Sequence, residues 1–331
     1  AAAAAHALLA DCVRVLGTDH PDTLRTRGNV IRWRGQAGDP AGAASASAVL
    51  IDDCTRILGG DHPDTLSVRN YMARWHGEAG DPQRARHIAE QVLADYSRVL
   101  GDDHPDTLNV LGNRARWLGE SGDPSGAVAA YQEVLARRLA VLGADHPDTL
   151  TARNNVAFWR AQAGGVTAAA ADVEELLLDY LRLLGPDHPA TLGVRVNLAF
   201  LRGEAGDPGA AHRDCATLVD DYLRVLGPDH PETLGLRCGL ARWRGEAGDP
   251  RGAVDVLEPA LPDFGRVLGW NHVATLTARG MLAYLRGLAG DAAGAADGYE
   301  DLLTDRIRVL GAEHPDTVST RKNLAFWRQH G

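Results

Sequence analysis

Residues 142–150, Leu-Gly-Ala-Asp-His-Pro-Asp-Thr-Leu, contain the segment that decides the fold. Its core, His-Pro-Asp-Thr-Leu, is complete in four copies and slightly altered in four more, which begin at His20, His62, His104, His146, His188, His230, His272 and His314. Successive copies are 42 residues apart, and no insertion or deletion interrupts the series. A fixed period of this length indicates supersecondary units that stack and share one continuous core.

Each unit is predicted to contain two helices, A and B. A glycine such as Gly59 recurs before every copy of the segment, where a left-handed C-terminal helix cap is expected. Pro21 suits the first position of a helix, so helix A is expected at about 21–37. The Gly-Asp-Pro turn at 38–40 then leads into helix B, expected at about 41–57.

The apolar residues of both helices follow helical spacing. Leu24, Val30 and Ile31 form one stripe on helix A. Helix B carries Leu50, with an alanine such as Ala43 at the same early place in every unit, where a small side chain lets two helices approach closely.

A period of 42 residues is also compatible with β-propeller blades and with HEAT-type helical repeats. Alternating strand patterns are absent from the sequence, which removes propellers. The chain resembles the tetratricopeptide repeat, in the 42-residue form found in kinesin light chains and in many bacterial proteins. The matching features are Gly38 followed five residues later by Ala43, Arg-x-Asn-Val-Ala at 153–157, and the connector at 142–149. The Trp-Arg pair at 33–34 departs from the family, which usually has Leu then Tyr there.

The resemblance implies an all-α, right-handed superhelix (solenoid) of about sixteen antiparallel helices. It predicts one tandem array over residues 1–331. The expected parts are a lone helix B at 1–17, AB repeats starting near residues 20, 62, 104, 146, 188, 230 and 272, and a lone helix A at 314–331. The chain has no initiating Met, so the sequence is compatible with an excerpt of a longer natural protein.

The composition of the chain argues against several classes of function. The net charge of −10 argues against nucleic acid, since affinity for phosphate backbones depends on clustered Lys and Arg. No apolar run approaches the length of a membrane span and no leader pattern opens the chain, so no membrane partner and a cytoplasmic location are expected. The four cysteines lack metal-like spacing and are interpreted as packing thiols. With no nucleophile constellation, phosphate-binding loop or metal cluster in the sequence, we expect no enzyme activity, catalytic residue, cofactor or metal.

Most recurring polar residues have a structural interpretation. The connector histidines such as His20 are expected to be loop and cap residues, because copies one helix-packing distance apart could not share a zinc ion. Asp53 and Arg56 are read as an ion pair that is lost jointly in one unit, where Arg137 and Ala140 stand instead. Arg27 and Arg34 are expected to face helix B and to meet aspartates of helix B and of the connector. The recurring tryptophans such as Trp33 are read as core.

The resemblance assigns ligand binding to the concave wall, which is built from one stripe of helix A. One column, meaning one equivalent position in successive repeats, carries the candidate amides Asn29, Asn113, Asn155, Asn197 and Asn323. The next column varies among Arg32, Arg74, Arg116, Phe158, Phe200, Arg242, Tyr284 and Phe326, beside the acidic candidates Glu78, Glu120, Glu204 and Glu246. The amides could clamp a peptide backbone or make only interhelix hydrogen bonds. Likewise, Arg and Glu could bind a partner or simply neutralise each other.

The leading functional prediction is a scaffold that binds a peptide segment or partner domain, with acidic and apolar side chains as suitable partner groups. One alternative is a self-assembling solenoid that stacks head to tail, in which Leu324 and Trp327 meet Leu8, Leu9 and Val13 of the next molecule. Another alternative is the sensor arm of a larger bacterial signalling protein, which rests on family analogy alone. The seventh repeat is expected to be the weakest, since it lacks the prolines of both its helix starts.

Overall fold

The computed structural model describes residues 2–330 and contains only helices as regular elements there. The seventeen helical segments are α1 (Ala2–Leu16), α2 (Pro21–Gln36), α3 (Pro40–Leu58), α4 (Pro63–Glu78), α5 (Pro82–Leu100), α6 (Pro105–Glu120), α7 (Pro124–Leu142), α8 (Pro147–Gln162), α9 (Val166–Leu184), α10 (Pro189–Glu204), α11 (Pro208–Val225), α12 (Pro231–Glu246), α13 (Pro250–Leu257), α14 (Leu261–Val267), α15 (Val273–Leu288), α16 (Ala292–Leu310) and α17 (Pro315–His330). The predicted all-α repeat fold is confirmed. The outermost positions of the predicted array, 1 and 331, lie outside the described residues.

The chain divides between Gly165 and Val166 into two compact units, unit 1 before this boundary and unit 2 after it. In each unit, helices A and B that follow each other in the chain pack against each other, and neighbouring helices A also touch, as α4 does with α6 and α10 with α12. That all repeats form one array stays a prediction.

Every helix A begins at a histidine cap. His20 Nδ1 accepts a hydrogen bond from the backbone N–H of Asp22, and all eight connector histidines make this bond at 3.1–3.3 Å. The Thr23 hydroxyl donates to the Gly17 carbonyl at 2.8 Å, which ties the helix start to the preceding helix end. The interpretation of these histidines as cap residues is confirmed.

In each Gly-Asp-Pro turn that leads into a helix B, the aspartate caps that helix. Its side chain accepts a hydrogen bond from the backbone N–H three residues later. Asp39 accepts from Gly42 at 2.8 Å. In repeat seven, Asp291 accepts from Gly294 at the same distance although alanine replaces the turn proline, and His272 still caps α15. The caps of the seventh repeat are therefore formed without the prolines.

The tryptophans of helix A pack on a glycine of the preceding helix A. A Cβ placed on Gly35 would lie 2.5 Å from the ring of Trp75, so only glycine leaves room for the indole. The same arrangement joins Gly77 to Trp117, Gly119 to Trp159, Gly203 to Trp243 and Gly287 to Trp327. Ala43 and its copies in helix B are fully buried beside these rings, as predicted for core packing.

Arginines of helix A reach the aspartates of helix B. Arg27 donates to Asp53 at 2.8 Å, and Asp53 also accepts from Arg56 at 3.1 Å. Arg56 extends further, to Asp19 in the preceding connector, at 3.1 Å. Arg34 pairs with Asp39 at 2.6 Å rather than with helix B proper.

In repeat three the three helical members of this network change together, while the connector aspartate is kept as Asp103. Leu111, Arg137 and Ala140 stand where repeat two has Arg69, Asp95 and Arg98. Arg137 turns instead to Glu133 on its own helix, at 2.9 Å. The joint replacement of these residues agrees with the predicted direct ion pair between the aspartate and the arginine of helix B. It also shows that the helix A arginine is a third partner in this network.

Helix B of repeat six is broken, where the sequence predicted one continuous helix. α13 ends at Leu257 and α14 begins at Leu261. Pro259 and Pro262 lack the N–H groups that a continuous helix would use, and the Ala260 N–H bonds to the Leu257 carbonyl, three residues back, at 3.2 Å. The sixteen predicted helices thus appear as seventeen segments.

Candidate functional site

The arginine column of helix A is held against the tryptophans. Each guanidinium lies over the ring of the tryptophan that follows it, an arrangement stabilised by the attraction between a cation and a π face. The distances from Cζ to the ring centroid are 5.6 Å at Arg32, 5.0 Å at Arg74, 4.5 Å at Arg116 and 4.3 Å at Arg242. Each of these four arginines is therefore held by a contact with its tryptophan.

These arginines also bridge neighbouring helices A through glutamates. Arg116 lies 2.7 Å from Glu120 on its own helix and 3.4 Å from Glu78 on α4. In unit 2, Arg242 lies 2.8 Å from Glu246 on its own helix and 2.6 Å from a glutamate of α10, Glu204. The alternative of mutual neutralisation is realised at these sites, while all the groups keep a part of their surface in solvent.

Two aromatic residues of the column, Phe158 and Phe326, keep the contact with the tryptophan that follows them while their rings face solvent. Phe158 packs edge-on against Trp159 with ring centroids 5.0 Å apart, and Phe326 packs against Trp327 at 4.9 Å. Phe158 and Phe326 are nevertheless 51% and 50% exposed. Tyr284 in the same column is exposed as well, as is Tyr71 in the asparagine column.

Phe200 differs from the other aromatics because its ring lies over the next helix A. A Cβ on Gly239 would lie 2.6 Å from Phe200 Cζ, and the ring also packs edge-on against Trp243 at 5.5 Å. Gly239 interrupts the asparagine column one repeat after Phe200, so the two substitutions fit together.

The asparagine column does not behave uniformly. Asn113 donates to Asn70 of the preceding helix A at 3.2 Å, and Asn323 donates to the Tyr299 hydroxyl at 3.3 Å. The interhelix alternative therefore applies to these two. Asn29 and Asn197 are exposed, and Asn155 is half-buried.

Asn197 and Phe200 line a cavity of about 520 Å³ between α10, α11 and α12 in unit 2. Tyr222 of helix B, Val196, Leu236 and Glu232 also line it, and sequence reasoning named none of these as site residues. Gly193 and Gly235 open the cavity, since no heavy atom lies within 4 Å of the Cβ that either could carry. The available signal was that both glycines fall in one column, where other repeats have Arg25, Ser67, Asn109, Thr151, Thr277 and Ser319.

The contact expected between chain ends needs correction. Leu324 is 6% exposed and lies in a core cluster with Leu276 and Leu302, because α17 packs on α16. It is not available to meet Leu8, which is 56% exposed on α1. Self-association itself stays a prediction.

Among the residues that the structure describes, no group of His, Cys, Asp or Glu is placed to hold a metal ion. Over the same residues, no helix combines the length and the apolar character needed to cross a bilayer.

Four stretches of the chain, together just over half of it, match the family model of the tetratricopeptide repeat: residues 65–106, 149–190, 191–232 and 275–316. A second tetratricopeptide repeat model matches residues 88–140. The chain belongs to the tetratricopeptide repeat family. A comparison with curated proteins found no match.

Several solved structures share the fold. A Podospora anserina kinesin light chain with nearly identical TPR-like repeats is 24% identical, with a TM-score of 0.55 over 62% of this chain and 98% of that one. A tetratricopeptide repeat protein from Parabacteroides merdae is 13% identical, with a TM-score of 0.60 over 91% of this chain and 99% of that one. The Rap protein in complex with competence and sporulation factor is 9% identical, with a TM-score of 0.53 over 93% of this chain and 98% of that one. The suspected resemblance to kinesin-light-chain-type repeats is thereby confirmed.

Proposed function

We propose that this chain is a protein-interaction module whose helix A surface binds an extended segment of a partner protein. The observation that carries the proposal is the set of solvent-facing aromatic rings on helix A. Phe158 in unit 1 and Tyr284 in unit 2 are 51% and 39% exposed, at places where other repeats carry arginine. Aromatic and arginine side chains are the residues enriched in the energetic centres of interfaces.

Order in the unbound state supports a binding role. The Phe158 ring is seated on Trp159, and Arg116 is fixed by Glu78 and Glu120. Side chains that are already held in place lose little conformational entropy when a partner binds.

Variation along the column supports selectivity. The buried neighbours of the column, such as Trp117 and Ala115, recur almost unchanged, while the column itself alternates between cationic and aromatic residues. Unit 1 offers arginines followed by Phe158, which suits acidic and then apolar partner groups. The Rap protein bound to competence and sporulation factor is consistent with a binding role for this architecture.

The proposal is tested with the double variant Phe158→Ala and Tyr284→Ala, which removes one exposed ring from each unit. Partners retained by the parent protein are identified by mass spectrometry, purified and titrated against each variant. We expect at least about a tenfold loss of affinity, the size of effect typical of interface aromatics, with little change in melting temperature.

Leu178→Ala is the matched control, because Leu178 is 66% exposed on helix B of the fourth repeat. It should leave affinity unchanged. Partner binding that survives the double variant, or that is lost equally in Leu178→Ala, would place the interface elsewhere.

A further inference from the structure

Tyr222, on the floor of the unit 2 cavity, has lost the partner that equivalent residues have. In repeat two the Tyr96 hydroxyl lies 3.4 Å from the Ser67 hydroxyl. In repeat three the equivalent residue, Arg138, donates to the Asn109 amide oxygen at 2.7 Å. Repeat five has Gly193 at the place of this partner. Tyr222 is only 3% exposed, and its hydroxyl makes no hydrogen bond within residues 2–330.

Glu232, on the rim of the same cavity, is followed three residues later by Gly235, which offers no side chain to pair with it. In repeat one, Asp22 forms an ion pair with Arg25, three residues further along the helix. Repeat six has Glu232 and Gly235 at these two places. No Lys or Arg of the described chain lies within ion-pair distance of the Glu232 carboxylate. Burial, and after it the Glu232 charge, raises the pKa of Tyr222 to about 12, so the carboxylate acts on the phenol across the cavity.

Apart from the Asn197 amide, the remaining lining of the cavity is apolar. Val196 of α10 and Leu236 of α12 line it, together with Phe200, whose ring lies against Gly239. Ala190 stands where most other repeats carry an aspartate, so no second carboxylate lies at this rim position. The cavity therefore combines an apolar lining with one unpaired carboxylate, one unpartnered hydroxyl and the Asn197 amide.

We propose that this cavity binds an arginine side chain of the partner segment, with its guanidinium against Glu232 and Tyr222. The proposal rests on the proposed function and specifies one residue of its ligand. The methylene stem of an arginine covers apolar surface, here that of Val196 and Leu236, while its charged head meets the carboxylate and the hydroxyl. The guanidinium has five donors for the carboxylate and the hydroxyl, and its flat face stacks on an aromatic ring such as Phe200.

Other side chains fit this cavity less well. A carboxylate would be repelled by Glu232, and a purely apolar group would leave Glu232 and Tyr222 without partners. A basic ligand also matches the net charge of −10. For this cavity the inference replaces the earlier expectation of acidic partner groups, which the arginines of unit 1 suit better.

In the experiment, a displayed library of random dodecapeptides is selected for binding to the 331-residue protein. The selected peptides are then synthesised with a fluorescein label, and their affinity is measured by fluorescence anisotropy. Gly193→Ser is the main variant. It refills the cavity and restores to Tyr222 the partner that Ser67 gives Tyr96, and it should not destabilise the helix because the Cβ enters open space. Glu232→Gln removes only the charge. Asp106→Asn is the matched control, since it removes the equivalent carboxylate in repeat three.

We expect the selected peptides to share an arginine. Its replacement by citrulline, and the variants Gly193→Ser and Glu232→Gln, should each lower affinity by about tenfold or more, as expected for a charge-assisted pair, while Asp106→Asn changes it little. Peptides that bind without a basic residue, and equally well to Gly193→Ser, would leave the proposed function standing and overturn the arginine site. A protein that retains no peptide would overturn both.

Discussion

The indole ring of Trp117 occupies the space in which a side chain on Gly77 would begin. A Cβ on Gly77 would lie 2.2 Å from the ring, a distance that real Cβ contacts do not reach. Trp117 is 1% exposed and packs in a core cluster with Leu66 and Ala85. Gly77 lies within α4, so its lack of a side chain serves the packing of the next helix A and no special backbone conformation.

We therefore expect Gly77→Ala to lower the free energy of unfolding by about 1–3 kcal/mol, the usual cost of overpacking a rigid core. The loss should appear although alanine is the better helix former by roughly 0.5–1 kcal/mol. Chemical denaturation measures it, with Gly112→Ala as the control. A Cβ on Gly112 would meet only Tyr131, at 3.9 Å, so this variant should be neutral or stabilising. Two variants of equal stability would mean that the Trp117 ring moves away without cost.

The helices themselves were predictable because their ends carry local signals. Pro21 and Pro40 begin α2 and α3, and Gly59 follows α3 with a φ of 96°, so the predicted bounds agree with the structure to within about two residues. The pairing of Trp117 with Gly77 was not predictable in this way. Both residues recur in register, but a recurring column does not say which column of the next repeat it touches.

The candidate site was predictable only in part, for a similar reason. The family resemblance placed Phe158 and Tyr284 on the ligand-facing stripe of helix A, and both rings are exposed. The unit 2 cavity arises from side chains that are missing at Gly193 and Gly235, and its floor, Tyr222, belongs to a helix B column that was interpreted as packing. The contacts that a glycine removes become visible only when the partner residues are placed in space.

The arginine network predicts how stability depends on pH. Arg27 and then Arg56 lower the pKa of the Asp53 carboxyl below its ordinary value of 3.8, and Arg308 and then Arg279 do the same for Asp305. A carboxyl whose pKa is lower in the folded state stabilises the fold above its unfolded pKa, and this contribution is lost as pH falls below that value. We therefore expect a melting temperature that is steady near neutral pH and falls steeply below about pH 4.

Asp53→Asn and Asp305→Asn measure this contribution. Each should lower the melting temperature near neutral pH and make its fall in acid shallower, because one group no longer titrates. Asp52→Asn is the control, since Asp52 is exposed and forms no ion pair within the described part of the chain. A fall in acid that is as steep in Asp53→Asn as in the parent would show that other groups govern acid stability.

The break in helix B of repeat six predicts where the backbone opens first. The Ala260 N–H reaches the Leu257 carbonyl at 3.2 Å and the Leu261 N–H reaches the Glu258 carbonyl at 3.3 Å, both three residues back. Such bonds are poorer in geometry than those of a continuous α-helix. The equivalent residues of repeat three, Val134 and Leu135, lie inside the unbroken α7.

Hydrogen exchange followed by NMR should therefore show faster exchange at Ala260 and Leu261 than at the equivalent residues Val134 and Leu135. The rates should differ by about tenfold or more if the free energies of opening differ by more than about 1.4 kcal/mol. Exposure does not explain such a difference, because Ala260 is 5% and Val134 is 1% exposed. The double variant Pro259→Glu and Pro262→Ala places in repeat six the residues of repeat three, Glu133 and Ala136, and should restore slow exchange by supplying both missing N–H donors. Equal protection of Ala260 and Val134 in the parent would mean that packing around Leu257 and Phe264 stabilises the break as well as a continuous helix. In that case we would expect the backbone to open first in repeat seven, which lacks the prolines of both its helix starts.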